Sequence, residues 1–195
     1  GRTRVCTTAC DHDFATETVT PYGIFIPHSD ELFIYFVSSK LTSDCMVDIL
    51  QDWWQTFRMK MPQIQTLVLN QDNGPENKSS RTQFMKRLVE FAQTHQIAVQ
   101  LAYYPPYQSK YNPIERVWAA LEHHWNGSLI EDVDTAVQFA NTMTWKGKHP
   151  VVKVVSKSYQ TGVKLTKVAM AVVERSLERL AGLGKWFIKI AGPAK

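Results

Sequence analysis

Asp72 and Glu115 are the two side chains whose neighbours best equip them for chemistry. Asp72 stands between a short apolar run, Thr66-Leu67-Val68-Leu69-Asn70, and the turn-forming Asn73-Gly74-Pro75. An acid at that point is presented by the end of a strand. Its oxygens are hard donors of the kind Mg²⁺ or Mn²⁺ takes together with water and phosphate. The same Asp could instead satisfy N–H groups of its own turn. Glu115 follows Asn112-Pro113-Ile114. With Asn112 as N-cap and Pro113 as the first helical residue, Glu115 takes the third position, where a carboxylate caps its own helix. Capping and metal binding are both open to it. Asn73 is suited to orient Asp72 or to touch phosphate, and Asn112 to support Glu115. Glu122, two turns further along, reads as a solvated helix residue. His123 and His124 are adjacent, so they point apart on a helix and cannot chelate one ion easily. Cys6, Cys10 and His12 form a zinc-like grouping with no obvious fourth ligand, which leaves a small zinc-bound interaction domain as an alternative.

These residues need elements to hold them. Gly23-Ile24-Phe25-Ile26 and Leu32 to Val37, around the polar Pro27-His28-Ser29-Asp30, read as a hairpin. A helix capped by Thr42 or Ser43 follows, with Met46, Ile49, Leu50, Trp53 and Phe57 on one stripe. The run from Thr66 to Asn70 reads as a buried parallel strand. A second helix is predicted from about Thr82 to His95, then a strand from Ile97 to Tyr103 that stops at Pro105-Pro106. Asn112-Pro113 opens a third helix carrying Ile114, Val117, Trp118, Leu121 and Trp125. The remainder reads as helical apart from Lys185 to Ile190. His149-Pro150 and Thr166 are plausible helix starts there, and Gly162 a stop. The order predicts an α/β layer fold with one mixed sheet, whose ligands sit outside the carboxyl ends of parallel strands.

Bulk properties narrow the partners. The chain has 195 residues, 44% of them hydrophobic, and six Trp, which suffices for a core and excludes a disordered tail. Three cysteines fit a reducing cytoplasm better than a disulfide scaffold. No apolar run reaches the roughly 18 residues of a membrane span, and nothing after Gly1 reads as a signal peptide. From Thr144 to Lys195 eleven Lys and Arg face two acids, a local net of +9, while the first 143 residues carry 11 basic and 16 acidic groups, a net of −5. A basic stretch on an acidic body points to a polyanion partner and a site that needs cations. We therefore divide the chain into an acidic core, residues 1–143, and a basic, mainly helical extension, residues 144–195.

Three segments taken together are far more specific than any single residue. They are Leu69-Asn70-Gln71-Asp72-Asn73-Gly74-Pro75-Glu76-Asn77, Arg81-Thr82-Gln83-Phe84-Met85, and Tyr103-Tyr104-Pro105-Pro106-Tyr107-Gln108-Ser109-Lys110-Tyr111-Asn112-Pro113-Ile114-Glu115-Arg116-Val117-Trp118. They closely resemble the Rhodopirellula-type DDE transposase domain of bacterial insertion sequences. The stretch from Pro105 to Glu115 is also similar to the wider mariner-like superfamily. Trp125-Asn126-Gly127 and Met143-Thr144-Trp145-Lys146-Gly147 fit the narrower family.

The resemblance implies an RNase H-like fold and three metal-binding acids serving two Mg²⁺ or Mn²⁺ ions. The second acid falls on Asp72 and the third on Glu115. The first belongs on an earlier strand. Asp11 and Asp13 are the only upstream candidates, and both lie in a polar stretch, so that strand, its Asp and an upstream helix-turn-helix region are expected outside this chain. The implied activity is cleavage of insertion-sequence ends and their joining to target DNA by in-line displacement at phosphorus. Implied too are a cytoplasmic, nucleoid-associated location and a homo-oligomer on paired DNA ends. Lys110 and Arg116, flanking Glu115, and Lys146 and Lys148 in the basic stretch are the candidate DNA-backbone contacts, with affinity that falls with salt. The alternatives are a non-catalytic DNA-binding remnant and another RNase H-like nuclease.

Overall fold

The computed structural model describes residues 12–13, 18–105, 108, 111–125 and 132–192; of residues 12, 13 and 18 it describes the backbone. In chain order the elements are β1 (His12–Asp13), β2 (Thr18–Ile26), β3 (Glu31–Val37), α1 (Ser43–Lys60), β4 (Thr66–Gln71) and α2 (Thr82–His95). There follow β5 (Ala98–Tyr103), α3 (Pro113–Trp125), α4 (Val133–Thr142), β6 (Val151–Val155), α5 (Lys167–Glu174), β7 (Leu177–Arg179) and β8 (Phe187–Ile190). They fall into two compact units. One comprises Gly1–Lys40 and Pro113–Ser158, the other Leu41–Asn112 and Tyr159–Lys195.

The first unit is built on the expected hairpin. β2 and β3 pair antiparallel with Ile26 opposite Glu31, and Asp30 takes the left-handed conformation (φ 54°) that the tight turn requires. β6 joins β3 in parallel, Phe33 opposite Val151 through Val37 opposite Val155, giving the order β1-β2-β3-β6. Leu32, Ile34 and Phe36 project from one side of β3. Against them pack Val117, Leu121 and Trp125 of α3, spaced every fourth residue, with Ala136 and Ala140 of α4. Phe36 and Trp125 stack at 6.3 Å between ring centroids. Gly23 is what lets α3 lie this close to the hairpin. A Cβ there would meet Trp118 ring carbons at 2.7 and 2.8 Å and Ile114 Cδ1 at 3.0 Å. Gly23→Ala is therefore expected to lower stability by about 1–2 kcal/mol, the usual scale of overpacking. Unchanged thermal melting would show instead that the Trp118 ring yields freely.

In the second unit β4 and β5 run parallel, β5 pairs antiparallel with β8, and β8 with β7, in the order β4-β5-β8-β7. Val99, Leu101, Ile188 and Ile190 are all 1% exposed or less. Thr42 caps α1 through its side chain, which accepts from the Cys45 N–H at 3.3 Å, and Met46, Ile49, Leu50, Trp53 and Phe57 are buried along the expected stripe. Trp54 is buried as well, edge-on to Phe91 of α2 at 6.3 Å. Arg87 of α2 pins the two helices, donating to Asp44 at 2.6 Å and to Asp48 at 2.7 Å on α1. Gln83 also donates to Asp44, and the Tyr159 hydroxyl to Asp48.

Three expectations need correction. The strands form two mixed sheets, not one, because β3 takes β6 as its second neighbour and β5 takes β8. β4 is not buried: only Leu67 is, and Val68 is 50% exposed, because β4 is an edge strand paired on one side among the described residues. Residues 144–192 are not mainly helical. They hold three strands and the eight-residue α5. Val151-Val152-Lys153-Val154-Val155 is rich in β-branched residues, and next to β3 that preference decides. His149-Pro150 thus leads into a strand. Thr166 does start a helix, its hydroxyl accepting from the Ala169 N–H at 3.2 Å, whereas Gly162 (φ 73°) sits in a bend with no helix before it.

Candidate active site

Asp72 is the first residue after β4, and the chain turns back at once through Asn73-Gly74-Pro75. The turn closes with the Lys78 N–H donating to the Gly74 carbonyl at 2.9 Å. The segment behind it is braced from four directions. Ser43 at the start of α1 donates its hydroxyl to the Glu76 carbonyl at 2.6 Å, and Arg81 donates to the Glu76 carboxylate at 2.9 and 3.0 Å. Arg179 of β7 reaches the Ser79 carbonyl at 3.3 Å, and the Tyr103 hydroxyl at the end of β5 reaches the Asn77 carbonyl at 2.6 Å. Glu76, the acid nearest to Asp72 in sequence, is thus committed to holding this segment. Asp72 itself is exposed and rests on rigid backbone at the carboxyl end of a parallel strand, where α/β sheets usually bind ligands.

The side chain that touches Asp72 is Asn77, whose Nδ2 donates to Asp72 Oδ1 at 3.0 Å. Asn77 was missed by the sequence reading, which favoured the adjacent Asn73; Asn73 is exposed and makes no hydrogen bond to Asp72 among the described residues. The signal that could have found Asn77 is the Gly-Pro turn, which brings the fifth residue after Asp72 back against it. Burial holds the Tyr103 phenol well above its usual range; Arg179 pulls it down and Asp72 pushes it up. Tyr103 is therefore a neutral donor at any ordinary pH.

Glu115 lies in the first turn of α3, which begins at Pro113 as predicted, and it is exposed, as is Arg116. Asp72 and Asn112 belong to the second unit, Glu115 to the first. Among the described residues no group of three or more His, Cys, Asp or Glu side chains is gathered for a metal. Asp72, just beyond a strand, and Glu115, in the first turn of a helix, are each a hard-oxygen donor, which suits Mg²⁺ or Mn²⁺ better than a softer metal. Lys110, Cys6, Cys10 and Asp11 lie outside the described residues, as do the side chains of His12 and Asp13. The ammonium groups of Lys146 and Lys148 both reach the hairpin turn. Lys146 pairs with Asp30 at 2.9 Å and Lys148 donates to the Ser29 carbonyl at 2.6 Å. His124 faces Thr142 Oγ1 at 3.0 Å and meets the Phe139 ring edge-on at 6.2 Å.

A mixed α/β chain with an exposed acid at a parallel strand end is compatible with many functions, because a fold does not by itself fix one. The comparison of sequences narrows it. The model of the Rhodopirellula transposase DDE domain matches residues 1–192 of the 195. The chain belongs to that family, and the membership supports a transposase function. Among curated proteins and solved structures no match was found. No helix among the described residues is long and apolar enough to cross a membrane.

Proposed function

We infer that the chain is a DNA strand-transfer domain in which Asp72 and Glu115 hold divalent metal, and that it cuts the ends of a mobile element and joins them to target DNA. The observation that carries this reading is the family match over residues 1–192, with Asp72 standing exposed beyond β4 on a braced turn. Bound Mg²⁺ or Mn²⁺ would supply charge neutralisation at phosphorus and an acidified water or 3′-hydroxyl. The protein's own work is positional. Asp72 offers an oxygen from a strand end, and Asn77 fixes the other. Glu115 offers a second carboxylate from a helix start, a place where it can cap and coordinate at once.

DNA is held by charge. Arg116 is exposed beside Glu115, and Lys164 and Lys167 are exposed around the start of α5. Lys146 is 60% exposed in its ion pair with Asp30, so it can exchange that carboxylate for phosphate at little cost. Lys148 and Lys110 complete the proposed backbone contacts. Such contacts position DNA without reading its sequence. Two ions and a homo-oligomer on paired ends belong to the same proposal.

Incubated with Mg²⁺ or Mn²⁺, a protein carrying this domain together with the family's first acid is expected to nick supercoiled plasmid and to join duplex ends bearing a free 3′-hydroxyl into it. Cleavage restricted to RNA–DNA hybrids would make it a ribonuclease instead. DNA binding with no nicking in either metal would make it a non-catalytic DNA-binding chain.

A further inference from the structure

We propose that Asn77 is a positioning residue for Asp72, locked in place by Tyr103 and given room by Gly74. The proposal rests on the reading of Asp72 as a metal ligand and adds the machinery that aims it.

The geometry is a three-residue relay within the second unit. Tyr103, 6% exposed at the end of β5, donates its hydroxyl to the Asn77 main-chain carbonyl at 2.6 Å. That bond fixes the backbone of Asn77 against the sheet. From there the side-chain amide donates to Asp72 Oδ1 at 3.0 Å. An ionised carboxylate only accepts hydrogen bonds, so the amide must present its NH₂ to Asp72. This commits Oδ1 and one rotamer of Asp72, while Oδ2 makes no hydrogen bond among the described residues. The arrangement is what a ligand carboxylate needs, one oxygen held and the other offered.

Two further observations show that Asn77 is not there for packing. It is 6% exposed, yet its Oδ1 has no hydrogen-bond partner among the described residues. A buried carbonyl oxygen left unpaired costs free energy, and a position serving the core alone would take an apolar side chain. Gly74 points the same way. A Cβ there would lie 2.9 Å from Asn77 Oδ1 and 3.7 Å from Asp72 Oδ1, so a side chain at residue 74 would displace the amide from its seat.

The test is metal binding, which needs no DNA and no turnover. Mn²⁺ is titrated into the chain, free Mn²⁺ is read by electron paramagnetic resonance, and the wild type is compared with Asp72→Asn, Asn77→Leu and Tyr103→Phe. Asn77→Leu is expected to weaken Mn²⁺ binding by about 10-fold or more, the scale on which partners of metal ligands act. Its melting temperature should equal or exceed that of the wild type, because the unpaired oxygen is gone. Tyr103→Phe keeps the buried ring and removes only the clamp, so a smaller weakening of the same sign is expected. It carries the test should Asn77→Leu not fold. If both variants bind Mn²⁺ as the wild type does while Asp72→Asn does not, the positioning role is overturned and the ligand role of Asp72 survives. If Asp72→Asn binds as well as the wild type, or the wild type binds no Mn²⁺, the ligand reading falls and the positioning role falls with it.

Discussion

Asp72→Asn is expected to leave the fold intact and to lower metal-dependent strand cleavage by about 1,000-fold or more. The size follows from the several kcal/mol of transition-state stabilisation that a metal supplies at phosphorus, since about 4 kcal/mol is about three powers of ten in rate. The selectivity follows from the structure. Asp72 is exposed, so the change opens no cavity and buries no new polar group. The new amide can still present an oxygen to Asn77 Nδ2 at the place of the present 3.0 Å bond. Only the negative charge is lost. Matching melting curves with abolished nicking would support Asp72 as a ligand, and nicking at the wild-type rate would remove it from the site. Glu115→Gln serves as the companion variant on α3.

The largest effect on stability is expected from Arg87→Met. Methionine keeps most of the buried stem and removes the guanidinium that bridges Asp44 and Asp48. The two carboxylates sit four residues apart on α1, and without Arg87 they repel across one helical turn. Gln83 and Tyr159 remain as neutral donors and compensate only in part. Breaking a fully buried pair costs about 3–5 kcal/mol; these side chains are 20–25% exposed, so about 2 kcal/mol is expected. Urea unfolding with an unchanged slope measures it. A loss below about 0.5 kcal/mol, the range of exposed pairs, would show that water replaces the guanidinium without penalty.

The parts of the fold that could be read in advance are those decided by near neighbours along the chain. The hairpin at Pro27 to Asp30, the Thr42 and Thr166 caps and the apolar stripe of α1 each depend on residues within one or two turns. Strand partnership does not. Nothing local in Val151 to Val155 says that β3 waits for it, and nothing local in Thr66 to Gln71 says that one edge stays unpaired among the described residues. The proposed site divides in the same way. Asp72 and Glu115 announce themselves by the turn and the helix start beside them. Asn77 acquires its role through Tyr103, whose sequence position lies 26 residues away.

The final quarter of the chain visits both units in turn. β6 completes the first sheet against β3, and β7 and β8 complete the second against β5. Neither sheet can close on a ribosome that has yet to release the C-terminal strands, because each is finished by residues more than 80 positions downstream of the strand they join. Both sheets therefore wait for residues 151–190 and close slowly by their topology, since distant segments must meet before they reward one another. A chain cut short after α4 would lose strands from both units together, and a premature stop there would produce no half-competent product.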